Sequence, residues 1–321
     1  MRRVARWLAL LGAALALQAH AQPPTADCPP TAAPGAEALA RAGEQPRDRG
    51  FLWRIRKDGR SSWLYGTIHV GRLEWLVPGP QVSQALRDSD VAAFELDFSD
   101  SSLLQRLQEG LAAAARDPAA PALPEDLALR LRRQLELACA PMALEQALPP
   151  EMLGATLAVM AGRRDGLDAH YAIDPALAQW ARREGKEVVS LETPEQQIGL
   201  MRSSSASELR ENLDRMLRDL EQGRVRPLLR RVAGAWEQGR AAELAGYRRW
   251  CDCARTPQER KALKALLDDR NGPMAERIDA LHRGGKTVFA AVGSLHLFGP
   301  AALPKLMAAR GYQVTRVELQ R

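Results

Sequence analysis

The chain has 321 residues, 46% hydrophobic and 26% charged, with a formal net charge of +6. That balance is ordinary for a globular protein and leaves ample length for a core, as one large domain or two small ones. Aromatic residues are only 5%, and basic residues are interleaved with acids, so no stacking platform on a basic groove is present and no nucleic-acid partner is expected.

The first residues read as a secretory signal. Arg2, Arg3 and Arg6 precede the apolar run Trp7–Leu17, and Ala19 and Ala21 hold the small-residue positions of a cleavage site. The run is too short to span a bilayer, and no later stretch is long and apolar enough to do so. Lipid attachment at Cys28 is not expected, because PTADC lacks an aliphatic residue before its small ones. The mature chain is therefore predicted to be periplasmic or secreted, cut near Ala21, with no stable membrane anchor. Loss of the three arginines lowers the formal charge to about +3.

Four cysteines remain: Cys28, Cys139, Cys251 and Cys253. An even count in an exported chain points to disulfides. Cys251-x-Cys253 lacks the second pair or nearby His that a zinc site needs. Of the three pairings possible, a 251–253 bridge is geometrically the least favourable. Cys28 and Cys139 are therefore expected to pair with the Cys251/Cys253 segment.

Residues 22–48, rich in Pro, Ala, Gly and Thr, read as a flexible mature N-terminus, and 49–321 as a single domain. Two β-rich runs flank KDGR, where Asp58-Gly59 signals a hairpin turn. DVAAFELDF (Asp90–Phe98) reads as a buried strand. Helices over 101–116, 124–139 and 149–161 are separated by prolines. Another over 174–185 has Asp174 as N-cap, Pro175 at its first position and Gly185 past its end. KEVVSLE (186–192) is a strand, 205–282 is helical and strongly charged, and KTVFAAVGSLH (286–296) is a strand again. Helix 300–310, Gly311 as its cap and the strand YQVTRVEL (312–319) complete the chain. Strands at both ends with helices between predict an α/β fold. Its mixed central sheet is formed by N- and C-terminal strands, with a large helical insertion at about 101–282.

One phrase is written twice. LYGTIHVG (Leu64–Gly71) and AVGSLHLFG (Ala291–Gly299) both carry Gly, a hydroxyl residue, an aliphatic residue, His and another aliphatic residue. Each follows an apolar strand, so Gly66 and Gly293 allow a sharp turn or close approach and His69 and His296 are carried past the sheet edge. Strand ends in α/β proteins converge on a crevice where ligands bind. Glu95 lies within an apolar strand, where a carboxylate is costly unless paired with a cation or metal. Asp97 lies on the same face two residues on and is the alternative acid. Two imidazoles and a carboxylate suit a divalent ion, which would activate water for hydrolysis without a nucleophilic side chain. Of the five histidines, His20 leaves with the signal, and His170 and His282 read as surface or capping residues. The chain has no G-x-S-x-G elbow, no H-E-x-x-H and no phosphate-binding glycine loop.

These motifs, with GLDAHYA, GKEVVSLETPEQQ and LLDDRNGPMAERI between them, resemble the TraB/GumN family, related to the Tiki-type proteases, over nearly all of residues 50–319. The resemblance implies an α/β fold with a helical insertion, similar to erythromycin esterase. It also implies a metal-dependent peptidase acting on a peptide or protein substrate, with manganese, cobalt or zinc as the ion. Carried over by position, it implies His69, Glu95 and His296 at the metal, Gly66 and Gly293 as their structural glycines, and Glu192 as a further ligand or general base. Arg270 would steady a carboxylate or an oxyanion, with Asn271 beside it, and Asp168 would anchor a loop. A haem- or metal-binding protein without turnover is the second reading, and a non-catalytic partner in envelope assembly the third.

Overall fold

The computed structural model describes Cys28, Pro29 and residues 36–320. The expected signal segment, 1–21, lies outside the described residues. The chain divides into two compact units. One comprises 36–99, 171–193 and 231–320 and carries the sheet. The other comprises Cys28 and Pro29, 100–170 and 194–230, and is helical.

The sheet unit has six strands: β1 Phe51–Lys57, β2 Arg60–Thr67, β3 Val91–Phe94, β4 Glu187–Ser190, β5 Val288–Gly293 and β6 Gln313–Val317. Their order is β4-β3-β5-β2-β1-β6. β1 is antiparallel to β2 and to β6, whereas β2, β5, β3 and β4 are parallel neighbours in that sequence. The hairpin forms where expected. Asp58 and Gly59 both take positive φ, 51° and 74°, the conformation whose twist matches that of the flanking strands. β3 and β5 are buried along their whole length, which is why VAAF and VFAAVG read as unbroken apolar runs. This is the mixed α/β architecture expected. The parallel strands deliver Thr67, Phe94, Ser190 and Gly293 to one end of the sheet.

Two local readings differ from expectation. His282, expected at a surface, is fully buried in the helix Asp269–Arg283. Its Nε2 donates to the Lys57 carbonyl. Its Nδ1 accepts from Ser62, whose own oxygen accepts the Val288 N–H. The histidine thus ties the helix to the β1–β2 hairpin. Within the stretch expected to be flexible, Ala36–Ala42 is helical. There too, buried Asp48 accepts the N–H groups of Gln81 and Val82, capping the helix Pro80–Arg87. The strand expected at 186–192 forms as β4, and its pairing with β3 goes with the place of 171–193 in the sheet unit.

The cysteine pairing also differs from expectation: the disulfides are Cys28–Cys139 and Cys251–Cys253. The short bridge closes because Asp252, at φ 58°, turns the chain back and brings the two Cα atoms to 5.1 Å. That separation is within the range a disulfide spans. Disulfides persist in oxidising compartments. Among the described residues no helix is long and apolar enough to cross a membrane.

The helical unit packs Ser101–Ala115, Glu125–Leu137, Pro150–Met160, Pro194–Met201 and Ala206–Glu221. Leucines at helical spacing form its core, including Leu127, Leu131 and Leu135 on one helix and Leu209, Leu213 and Leu217 on another. Arg130 bridges Asp214 and Glu221 across those two helices.

Candidate active site at the strand ends

The repeated phrase is explained by strand order. β2 and β5 are adjacent and parallel, with Thr67 opposite Gly293, so His69 and His296 leave neighbouring strand ends from opposite ends of the chain. The glycines permit close approach. A Cβ on Gly66 would stand 2.7 Å from Ser294 Oγ, and one on Gly293 would stand 3.0 Å from His69 Nε2 and 3.2 Å from Glu95 Oε1. The hydroxyls have separate tasks. Ser294 Oγ donates to the Thr67 carbonyl, and Thr67 Oγ1 donates to Asp174 Oδ1 at 2.5 Å.

Each imidazole is held by its Nδ1. His69 Nδ1 lies 3.0 Å from Asp174 Oδ2 and donates to that carboxylate, leaving Nε2 directed at Gly293 and Glu95. Burial works against a proton on His69. The Asp174 charge and hydrogen bond, with Glu95 beyond, outweigh it and raise the pKa to about 9. Half of that side chain remains open, with 49% accessible, so solvent screens the pair. His296 is buried, 3% exposed, and its Nδ1 lies 2.6 Å from Asn271 Oδ1. Asn271 Nδ2 donates to the carbonyls of His296 and Ala301, which fixes the amide with its oxygen toward the ring. His296 Nδ1 therefore carries the proton and Nε2 the lone pair. Burial, with Arg270 and His69 assisting and Glu95 and Glu192 opposing, lowers the His296 pKa and keeps the ring neutral.

Glu95 Oε1 accepts the Gly293 N–H at 2.7 Å, and Glu95 Oε2 accepts from Arg270 Nη2 at 2.5 Å. Burial would raise this carboxyl, but His296, Arg270, His69 and the Gly293 N–H together hold it well below the usual carboxylate range. Arg270 reaches the site from the first turn of the helix Asp269–Arg283, directly after a π-helical turn, Lys264–Asp268. Its Nε and Nη2 clasp both oxygens of Glu192, and its Nη1 lies 3.2 Å from His296 Nε2. Burial would lower the guanidinium, but Glu192 and Glu95 raise it further, so the charge is permanent.

The structure thus brings together Glu95, Glu192, Arg270, Asn271 and His296, with His69 at the open side. Asn271 lies behind His296, 1% exposed, and acts by positioning the ring. Glu192 has both oxygens engaged by Arg270 and anchors that cation. Asp97 is turned away: it accepts from Arg182 and from Ser99 N. Asp168 accepts the His170 N–H and faces that ring's Nδ1 at 2.7 Å in the helical unit. Asp174 was not anticipated as a site residue. Its helix begins at Ile173, whose N–H donates to the Ile68 carbonyl, so Asp174 lies inside the first turn instead of capping it and its side chain is free to hold His69. The only hint was an acid at a helix start with two candidate tasks.

With the Nδ1 protons fixed by a carboxylate and an amide, His296 Nε2, His69 Nε2 once it gives up the proton its raised pKa retains, and an ionised carboxylate are donors of the kind a divalent ion takes. With no Cβ, Gly293 leaves the space that His69 Nε2 and Glu95 Oε1 both border. Among the described residues no group of three or more His, Cys, Asp or Glu is gathered as a ligand set, and Arg270 stands against His296 and Glu95 as a competing cation.

The chain is 30% identical over 152 residues to a protein named metalloprotease TIKI1 from Danio rerio, a match covering 47% of this chain and 28% of that one. The human protein of the same name is 27% identical, over 50% of this chain and 29% of its own. The matched region thus spans under a third of these relatives. An uncharacterized protein, YbaP of Shigella flexneri, is 25% identical over 77% of this chain and 88% of its own. No solved structure matches. The model of the TraB/PrgY/gumN family matches residues 51–316, from the first strand of the sheet to the last, and the chain belongs to that family.

Proposed function

We propose that the protein is a metal-dependent hydrolase of the periplasm or exterior, and that its substrate is a peptide. The observation that carries this is the convergence of His69 and His296, from the ends of adjacent parallel strands and each with its Nδ1 held, on the ionised Glu95. The name of the TIKI1 relatives supports the metal and the peptide bond. His69, Glu95 and His296 would hold the ion. When bound, a divalent ion lowers the pKa of a water molecule and polarises a carbonyl.

The remaining residues prepare those three. Asp174 keeps the His69 proton on Nδ1, and Asn271 does the same for His296. The Gly293 N–H orients Glu95. Glu192 anchors Arg270, whose Nη1 presents a fixed positive charge toward His296 and would stabilise an anionic oxygen formed on the substrate. The Cys28–Cys139 bridge suits an oxidising compartment.

Metal content measured by mass spectrometry after purification without chelator tests this, with wild type beside His69→Ala/His296→Ala. The expected result is about one equivalent of a divalent ion in wild type, lost in the folded double variant, and cleavage of a peptide library by wild type alone. No bound ion after manganese, cobalt and zinc are offered would overturn the reading. An ion without turnover would favour a binding protein.

A further inference from the structure

The helical unit contains a cavity of about 230 Å³, below the roughly 300 Å³ at which sites for drug-sized ligands begin. Alanine, proline and leucine side chains, Leu123, Pro149 and Leu209 among them, form most of its wall. Four polar residues complete it: Asp117, Glu151, Arg202 and Ser203. Two of these satisfy each other. Arg202 Nη2 donates to Asp117 Oδ2 at 2.6 Å, and Asp117 Oδ1 accepts the Ala119 N–H.

The other two keep open positions. Ser203 is 8% exposed, and its Oγ is buried with no hydrogen-bond partner. Glu151 is 9% exposed; Oε1 accepts the Ser203 N–H at 2.8 Å, and Oε2 has no protein donor among the described residues. Glu151 lies in the first turn of the helix Pro150–Met160, where the unpaired N–H groups favour negative charge. A buried hydroxyl left without a partner is unusual and asks for one. The Ser203 N–H is already committed to Glu151, and Asp117 accepts from both Arg202 and Ala119. The acceptor left facing the cavity is Glu151 Oε2, next to the Ser203 hydroxyl, which can accept as well as donate. A ligand that brings N–H donors, a positive charge and a short apolar stem complements this pair and the apolar wall.

We propose that this cavity is a binding site for a primary alkylammonium group, with Glu151 Oε2 and Ser203 Oγ accepting its protons and the alanine, proline and leucine wall covering its stem. The same group is carried by a free alkylamine and by a lysine side chain.

The test is a titration of the full mature chain with n-butylammonium chloride at neutral pH, followed by the amide resonances of Glu151, Ser203 and Leu123. Saturable shifts confined to this cavity are expected. Glu151→Gln, which keeps the acceptor for the Ser203 N–H, should weaken binding at least tenfold. Ser203→Ala should weaken binding without loss of stability, since it removes an orphaned hydroxyl. Parallel titration with Nα-acetyl-lysine amide separates the two sources: binding of butylammonium alone assigns the site to free amines, and binding of both extends it to lysine side chains. Equal shifts with n-butanol, an unchanged affinity in Glu151→Gln, or no saturable shift would overturn the proposal and leave the cavity to water.

Discussion

The chain uses arginine–carboxylate contacts in both of its units, and they do opposite work. In the helical unit Arg130 meets Asp214 and Glu221 with all three side chains about a third exposed. At the strand ends Arg270 meets Glu95 and Glu192 with side chains 11%, 8% and 6% exposed. Solvent screens the first set, so its members are nearly independent of each other. The second set is nearly shut off from solvent, so each charge depends on its partners in place of water. Burial converts a common surface contact into a mutual dependence, and that dependence is located where the two repeated motifs converge.

The largest effect should come from Arg270→Ala. It leaves two buried carboxylates without their cation and should cost about 3–5 kcal/mol in urea unfolding. A loss within about 1 kcal/mol would break the comparison by placing this network with the surface pairs. Asp174→Asn should act on binding more than on fold. The amide no longer holds the His69 proton on Nδ1, and affinity for a divalent ion should fall about 10–100-fold in a competition titration. An unchanged affinity would separate Asp174 from the site. Arg130→Ala should change stability by no more than about 1 kcal/mol, measured in the same unfolding assay.

The smallest effect concerns pH. The Asp165 carboxyl is held below the usual carboxylate range by its hydrogen bond from Arg226, with burial opposing and the charges of Arg226 and Arg230 assisting. A carboxylate with a depressed folded pKa adds stability above its unfolded value of about 4, and that stability is lost as pH falls through the folded value. The difference between wild type and Arg226→Gln should therefore be present at neutral pH and fade in acid. A difference that persists in strong acid would assign the effect to packing of the arginine stem.

Much of this was legible in the sequence, and the reasons for the rest are specific. The hairpin, the buried strands and the ends of the helices near 101–116, 124–139 and 149–161 are written in local signals: Asp58-Gly59, the runs VAAF and VFAAVG, and prolines between helices. The breaks within 205–282 are not. The echo of GTIH and GSLH was visible, but its meaning depends on β2 and β5 being neighbours, and strand order is not a local property. Asp174 was misread because a carboxylate at a helix start has two uses, capping or reaching outward, and a shift of the helix start by two residues decides between them. His282 was misread because its partners, Lys57 and Ser62, are more than 200 residues away. The Cys251–Cys253 bridge depends on the backbone of Asp252 adopting a conformation that its side chain does not advertise.

The position of β5 has a consequence in time. It is the strand that joins β3 to β2, and it is drawn from residues 288–293. Until it is made, β1–β2 and β3–β4 have no common sheet, and His69, Glu95 and Glu192 have nothing to gather them. A growing chain therefore carries those residues in an inert state until 288–296 are made. That one stretch supplies both the joining strand and His296, so whatever the site does waits for it.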